Sequence, residues 1–402
     1  MKRIENRRSG RKAGVLVAGA HSMGALGVIR SLGRAGYSVH AVAASRDAIG
    51  LHSNFVATST IHPHSDSPLF VKWVSDFIHK NEIKMIIPGG PISSGHPAFK
   101  EYEHLFPVSR KNTSNVLAKG RKYELFESLL AGNETHRDNL PPIILIEFKK
   151  GLPSQSDLSN LGSPIFIKLD GHHSSTGKGD RVIRSPTARE ALQQLKLLKS
   201  DYRRAVVQGF VPGSGVGVFF LRWNKEIRAR FMHRRLHEMP HTGGASSLRE
   251  SWWNDEIADD AERKLSLINW EGVAMVEYRW NPSTNRFFLM EMNLRFWGSI
   301  HLALYSGVDF PKLLADSFLG YEIIPERVRP IIGLKCRNTI PYEIGYLVSL
   351  WRDKQVPLSP KLYSIWEAIW LSLDFRIRND LLFPGDRKLF WYRLGKFLRT
   401  GQ

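Results

Sequence analysis

A chain of 402 residues with a single cysteine, Cys336, can close no internal disulfide and cannot build a Cys-rich metal cluster. A reducing cytoplasm is therefore the expected setting. Long apolar runs are also missing, because no stretch approaches the roughly eighteen uninterrupted apolar residues of a membrane-spanning helix. Acid is scarce: 38 Asp and Glu against 57 Lys and Arg leave a net charge of +19. Such an excess suits nucleic acid, an anionic membrane or anionic substrates, and equally a solvated basic surface. No zinc finger, RNA-recognition signature or helix-turn-helix pattern accompanies it, so no nucleic-acid partner is expected. His233 and His237 have the spacing of a zinc pair only on a helix, and residues 230–238 read as extended, which argues against zinc. A recognisable Ser-His-Asp arrangement is lacking too. Residues 1–12 are basic and precede an apolar stretch, which imitates a signal peptide; that stretch is only about eight residues long and runs into a glycine-rich turn, so it reads as a first buried strand. Arg7 and Arg8 lack the apolar residues that follow a twin-arginine signal.

What is present is enough apolar material, 42% of the chain, for two or three structural units. Residues 14–19 read as a buried strand, 20–34 as a glycine-rich turn opening a helix, and 37–43 as the next strand, a βαβ unit. A helix over 70–79 and a parallel strand over 83–88 extend this layer. Gly19, Gly24 and Gly27 depart from the dinucleotide fingerprint, and Ala43 to Arg46 puts no acid at the end of the second strand, so nicotinamide chemistry is not expected. Further on, helices are expected at 119–131, 188–199 and 309–319, strands at 164–169 and 205–211.

The most informative segment is a hairpin. Two apolar runs, 273–278 and 287–292, flank the turn-rich residues 281–285, giving a loop of about five residues. Alternation sets Glu291, Asn293 and Arg295 on one face and Met290, Met292 and Leu294 on the other. If Trp280 pairs with Arg286, Glu277 pairs with Leu289 and lies diagonal to Glu291, roughly 7–8 Å away between backbones. Two carboxylates and an amide oxygen then converge, a hard-oxygen set suited to Mg²⁺ carrying phosphates. Alternation by itself fits a solvated sheet face equally well.

Glu277 followed by the run EMNLRFWGS at 291–299 resembles the metal-binding end of the ATP-grasp enzymes, and the resemblance extends over residues 13–320. It implies an α/β and α+β architecture: a Rossmann-like N-terminal domain at 13–115 behind a basic tail at 1–12, a two-lobed ATP-grasp core at 116–320 with a proline-bearing strand at 140–143, and a basic helical C-terminal extension at 321–402. It implies ATP with Mg²⁺, or Mn²⁺ in its stead, held by Glu277, Glu291 and Asn293. Lys168, at the end of a strand before the glycine-rich loop 170–180, would contact ATP phosphates, with Lys122 as a second phosphate lysine and Gly177, Lys178 and Gly179 in a lid that cradles them. Gln208, Phe210 and Val211 resemble the hinge that receives adenine, while Ser214 and Gly215 stand where many members carry an acid for the ribose. Arg235 would meet the γ-phosphate or a substrate carboxylate, and Arg295 would neutralise the transferring phosphoryl group.

The implied reaction joins a small carboxylate to an amine or similar nucleophile through an acyl phosphate, releasing ADP and phosphate. The alternatives are a non-catalytic ATP-binding module and an ATP-grasp phosphotransferase. The tail from residue 327 carries 14 Lys and Arg against 6 Asp and Glu, with 12 aromatics in 76 residues. Within it Leu362, Ile365, Trp366, Ile369, Trp370 and Leu373 share one helical face, which either packs on its own domain or lies peripherally on an anionic membrane. No sequence feature specifies a homo-oligomer.

Overall fold

A computed structural model of the chain describes residues 12–107, 121–321 and 330–401. The expected basic tail, apart from its last residue, and the expected entry to the core at 116–120 lie outside the described residues. The first layer comprises β1 (Lys12–Val17), α1 (Met23–Arg34), β2 (Tyr37–Ala43), β3 (Thr58–Ile61), α2 (Pro68–Lys80) and β4 (Ile83–Ile87), with the strands parallel in the order β3-β2-β1-β4. The central strand β1 is apolar from Ala13 onward because successive residues feed different cores: Val15 and Val17 face one cluster, Leu16 and the following Ala18 another. Ser22 caps α1 by accepting a hydrogen bond from the Ala25 amide at 3.1 Å. The glycines that follow serve packing. A Cβ on Gly27 would sit 2.1 Å from Ile300 Cγ2, so only glycine lets α1 lie this close to the segment after the hairpin.

A small lobe follows, with α3 (Lys122–Ala131), β5 (Ile143–Glu147), β6 (Ile165–Leu169), β7 (Arg181–Ser185), α4 (Ala188–Leu198) and β8 (Arg204–Gly209). Its antiparallel sheet runs β5-β8-β6-β7. Pro141 and Pro142 precede β5 instead of forming part of a strand over 140–143, since proline has no N–H to give a ladder; the Pro142 carbonyl still accepts from the Gly209 amide.

The large lobe is a seven-stranded sheet built from β9 (Ser214–Trp223), β10 (Glu226–Met239), β11 (Ala245–Ser251), β12 (Gly272–Asn281) and β13 (Arg286–Asn293), with α5 (Asp255–Leu267) between β11 and β12. After α6 (Ile300–Tyr305) and α7 (Phe310–Leu319) come β14 (Lys335–Arg337), α8 (Ile344–Arg352), α9 (Leu358–Leu373), β15 (Arg378–Asn379) and α10 (Lys388–Thr400). The order is β13-β12-β9-β10-β11-β14-β15. Phe219, Met275 and Trp297 pack toward α1, whereas Val218, Phe220 and Val276 pack on α5. The helical tail does not stand apart from this body. β14 pairs with β11 through Leu248 and Arg337, Arg30 meets Asp386 at 2.9 Å with both side chains fully buried, and Arg249 pairs with Asp380. No helix among the described residues is long and apolar enough to cross a membrane.

Candidate active site

The hairpin forms with Asn281 opposite Arg286 and Trp280 opposite Phe287, one residue away from the register expected from the sequence. A bulge at Met290 then restores the polar face, so that Glu277 lies directly across from Glu291 and not diagonal to it. The extra residue also turns Met290 out of the core: its carbonyl accepts from Lys168 Nζ at 3.3 Å and its sulfur lies 3.5 Å from Gln208 Nε2. Met292 stays buried on the opposite face and Leu294 packs there in part. Asn293 Nδ2 donates to Glu277 Oε1 at 3.1 Å and Glu291 Oε1 at 2.8 Å, which fixes the convergence of all three side chains.

Around this triad the sheet supplies cations. Arg235 on β10 donates to Glu277, to Glu238 Oε1 at 3.3 Å and to the Gly244 carbonyl at 2.9 Å. Arg279, two residues along β12 from Glu277, donates to Glu238 Oε2 at 3.1 Å and to the Gly213 carbonyl at 3.0 Å. Glu238 thus holds two guanidinium groups apart and in place. Gly215 makes room for this latch, since a Cβ there would lie 2.5 Å from Glu238 Oε1 and 2.7 Å from Arg235 Cδ. Arg279 and Glu238 were not foreseen. Arg279 was legible as i+2 from Glu277 on one strand face; Glu238 was not, because two irregularities in the β10–β11 ladder bring it beside Arg235.

Electrostatics in this cleft follow from burial. Loss of solvent and the facing Glu291 carboxylate push Glu277 up to about 7, against the pull of Arg235. Glu291 is held below its ordinary value: burial opposes its ionisation, but the Asn293 amide, Glu277 and the Lys168 charge outweigh it. Burial draws the Lys168 ammonium down to about 8 in spite of Glu291 and Glu277. Lys168 comes from β6, so the two lobes face each other here.

The remaining sequence candidates are spread along the rim. Lys122, the first residue of α3, binds Asp180 Oδ2 at 2.8 Å, and the Gly171 amide binds Asp180 Oδ1 at 2.8 Å, so Asp180 ties the loop 170–180 to α3. Lys178 turns to Asp201 at 2.7 Å, Gly177 has φ +76°, and the Gly179 carbonyl accepts from the Tyr202 hydroxyl at 2.7 Å. Gln208 and Val211 are buried at the end of β8, while Phe210 is 51% exposed. Arg295 lies just past the end of β13, exposed, and donates to Asn293 Oδ1 at 3.4 Å and to the Phe296 carbonyl at 3.2 Å. His237 sits between Glu343 and Glu367, and the His233 ring nitrogens are buried without a hydrogen-bond partner among the described residues, as are Trp297 Nε1 and Ser247 Oγ.

The donor set fits a hard divalent cation. No three or more His, Cys, Asp or Glu side chains among the described residues form a complete cage. Two facing carboxylates and one amide do converge, and Mg²⁺ favours one or two carboxylates with phosphate and water completing its shell. A turn of the Asn293 amide exchanges its nitrogen for its oxygen toward the two carboxylates.

No protein-family model matches the chain, and no curated protein matches it. Solved structures do. N5-carboxyaminoimidazole synthetase from Staphylococcus aureus, complexed with ADP, aligns over 78% of this chain and 79% of its own with a TM-score of 0.57 at 15% identity. L-amino acid ligase from Bacillus licheniformis aligns over 80% of this chain and 79% of its own, TM-score 0.58, 14% identity. A biotin carboxylase complex from Campylobacter jejuni covers 79% of this chain and 73% of its own, TM-score 0.55, 14% identity. Sequence identity this low carries the likeness of architecture, and that architecture agrees with the hairpin, the small lobe and the parallel first layer described above: the chain has the ATP-grasp fold.

Proposed function

We propose that this chain is an ATP-dependent ligase that activates a small carboxylate as its acyl phosphate and joins it to an amine or similar nucleophile, releasing ADP and phosphate. The observation that carries the reading is the facing pair Glu277 and Glu291, joined by Asn293 and opposed by Lys168 from the other lobe. In this reading residues 13–115 are the Rossmann-like domain, 116–320 the ATP-grasp core and 321–402 the basic extension. Glu277, Glu291 and the Asn293 amide oxygen would hold Mg²⁺ or Mn²⁺, which supplies neutralising charge to the nucleotide's phosphates.

The residues of the chain do the rest by position and charge. Lys168 and Lys122 bind phosphate oxygens, with Gly177, Lys178 and Gly179 folding over them, and Gln208, Phe210 and Val211 flank the base. The carboxylate oxygen of the substrate attacks the γ-phosphorus in line, the bond to the β,γ-bridging oxygen breaks, and ADP leaves with that electron pair. Arg235 and Arg295 face the charge that spreads over the transferring group, and Arg279, latched through Glu238, joins them. The nucleophile then adds to the acyl carbon and phosphate departs. His233, Trp297 and Ser247 carry unpartnered buried polar atoms in the large lobe. Lys168 and Gln208 both touch Met290, so nucleotide entry requires these inter-lobe contacts to open. A cytoplasmic location suits the free thiol of Cys336.

The test is release of ADP and phosphate from Mg-ATP by the purified chain against pooled amino acids, dipeptides and other carboxylates, with Glu291→Ala as control. Release that needs both a carboxylate and an amine supports the ligase. Transfer to one acceptor with no amine requirement would favour a phosphotransferase, and nucleotide binding without turnover in any pool would favour a binding module.

A further inference from the structure

Helix α9 is amphipathic in the wrong sense for a helix that packs on its own domain. At 100° per residue Leu358, Leu362, Ile365, Trp366, Ile369, Trp370 and Leu373 fall within one arc, and this arc faces outward. Trp366 is 54% exposed, Trp370 55% and Leu373 67%, and Phe375 just beyond the helix is 90% exposed. The inner side is held by polar contacts beside the half-buried Ala368 and Leu371: Ser364 is buried and Glu367 accepts from His237 Nε2 at 3.2 Å, while at the edge of the helix the exposed Ser372 Oγ accepts from Arg337 Nη1 at 3.2 Å. The expectation that this face packs on the body of the protein therefore fails, since the polar side of the helix already fills that contact.

Charge says what covers the apolar side. Every acid of residues 330–401 is engaged within the protein: Glu343 and Glu367 by His237, Asp353 by His241, Asp374 by Arg376, Asp380 by Arg249 and Asp386 by Arg30. By contrast Arg352, Lys354, Arg378, Arg387, Lys388 and Arg393 make no side-chain hydrogen bond or ion pair among the described residues. At the C-terminal end of α9 a cavity of about 500 Å³ sets Arg337, Arg378 and Arg387 beside Phe375, Leu382 and Phe390; the one acid in its lining, Asp374, is paired with Arg376. An isologous pairing of two copies through α9 would bring this cationic surround against itself.

We propose that α9 and the arginine-lined cavity at its end dock the protein on an anionic lipid bilayer, with Trp366, Ile369, Trp370 and Phe375 entering the interface and Arg378 and Arg387 meeting lipid phosphates. The helix is 16 residues long, too short to span, and lies in the plane of the surface. This inference is independent of the proposed ligase reaction, because no residue of the triad takes part.

The experiment is flotation of the full chain with vesicles of phosphatidylcholine alone and with about one third phosphatidylserine, at low and at high salt, for the wild type, Trp366→Ser/Trp370→Ser and Arg378→Glu/Arg387→Glu. Far-ultraviolet circular dichroism checks that each variant is folded. The expected result is binding to the anionic vesicles only, weakened at least about tenfold by high salt and by either double substitution. Absence of wild-type flotation with anionic vesicles at low salt would overturn the proposal. So would binding that survives the tryptophan substitutions, or a wild-type dimer in sedimentation velocity that Trp366→Ser/Trp370→Ser converts to monomer, which would assign the face to a second copy.

Discussion

Lys168 should cost the folded protein stability in proportion to its use. A lysine held at about 8 in place of the ordinary 10.5 implies that the charged form is disfavoured in the cleft by about 3 kcal/mol. Water reaching the cleft trims this, so Lys168→Met, which keeps the apolar stem, should stabilise the nucleotide-free protein by about 1–3 kcal/mol at neutral pH. The direction with pH is fixed by proton counts. Between about 8 and 10.5 the unfolded chain holds more protons at this site than the folded one, so the wild type gains stability as pH rises through that window. Below about 8 the penalty is complete and constant; near 10.5 it is gone. Urea denaturation of both proteins from pH 7 to 10.5 should give a difference that is flat at first and then closes. With saturating Mg-ATP the order reverses, because ligand at a thousand times its dissociation constant adds about 4.1 kcal/mol to the wild type and far less to a variant without the phosphate contact. A Lys168→Met protein less stable than wild type at pH 7, or a difference indifferent to pH, would refute the reasoning.

Glu291→Gln removes one of the facing carboxylates while keeping the amide partner for Asn293; ATP-dependent turnover should fall about a hundredfold or more, with little change in the urea midpoint, and rate against Mg²⁺ concentration checks it. Gly215→Asp pushes a side chain into Glu238 and Arg235, so the arginine latch should open and stability fall by about 1–3 kcal/mol, with a further loss of turnover that Gly215→Ala shows in part. Asp386→Ala leaves Arg30 buried without its carboxylate and should cost about 3–5 kcal/mol in denaturant unfolding while the affinity of the surviving folded protein for ATP is unchanged.

Sequence patterns carried the elements well where burial dictates period. The strand Tyr37–Ala43 follows from β-branched and small apolar residues broken only by Ser38 and His40, and the helix Phe310–Leu319 from apolar residues at helical spacing and from the side-chain cap of Asp309. Register was another matter. Alternation places residues on faces only while each strand advances singly, and the extra residue at Met290 cannot be seen in it; the bulge both put Glu277 opposite Glu291 and moved Met290 to the cleft. The latch Arg235, Glu238 and Arg279 depends on the pairing of the β9–β10 hairpin with β12, which begins more than thirty residues after β10 ends, so only Arg279 left a local trace. Lys178 was expected over phosphates as part of the lid that the resemblance implies; in the nucleotide-free chain it meets Asp201, a contact set by tertiary proximity of the loop to the start of β8 that no local pattern shows.

The basic tail read as an extension because its composition changes at residue 327, and composition does not reveal where a three-residue strand will pair. β14 joins β11, and the tail then supplies Asp380 to Arg249 and Asp386 to Arg30, two cations buried in the body of the protein. It also grips β10: His237 stacks on Tyr346 at 4.2 Å between centroids and bonds Glu343 at 2.9 Å, two residues from Arg235 in the candidate site. Ending the chain before Lys335 would leave both arginines unpaired at about 3–5 kcal/mol each, and a domain's whole stability is about 5–15 kcal/mol. The truncated chain should therefore lose its cooperative unfolding transition and its nucleotide-dependent stabilisation together. A truncated chain that melts cooperatively and is stabilised by Mg-ATP would mean that the tail is dispensable to the fold and that its contacts with α1 and β11 are secondary.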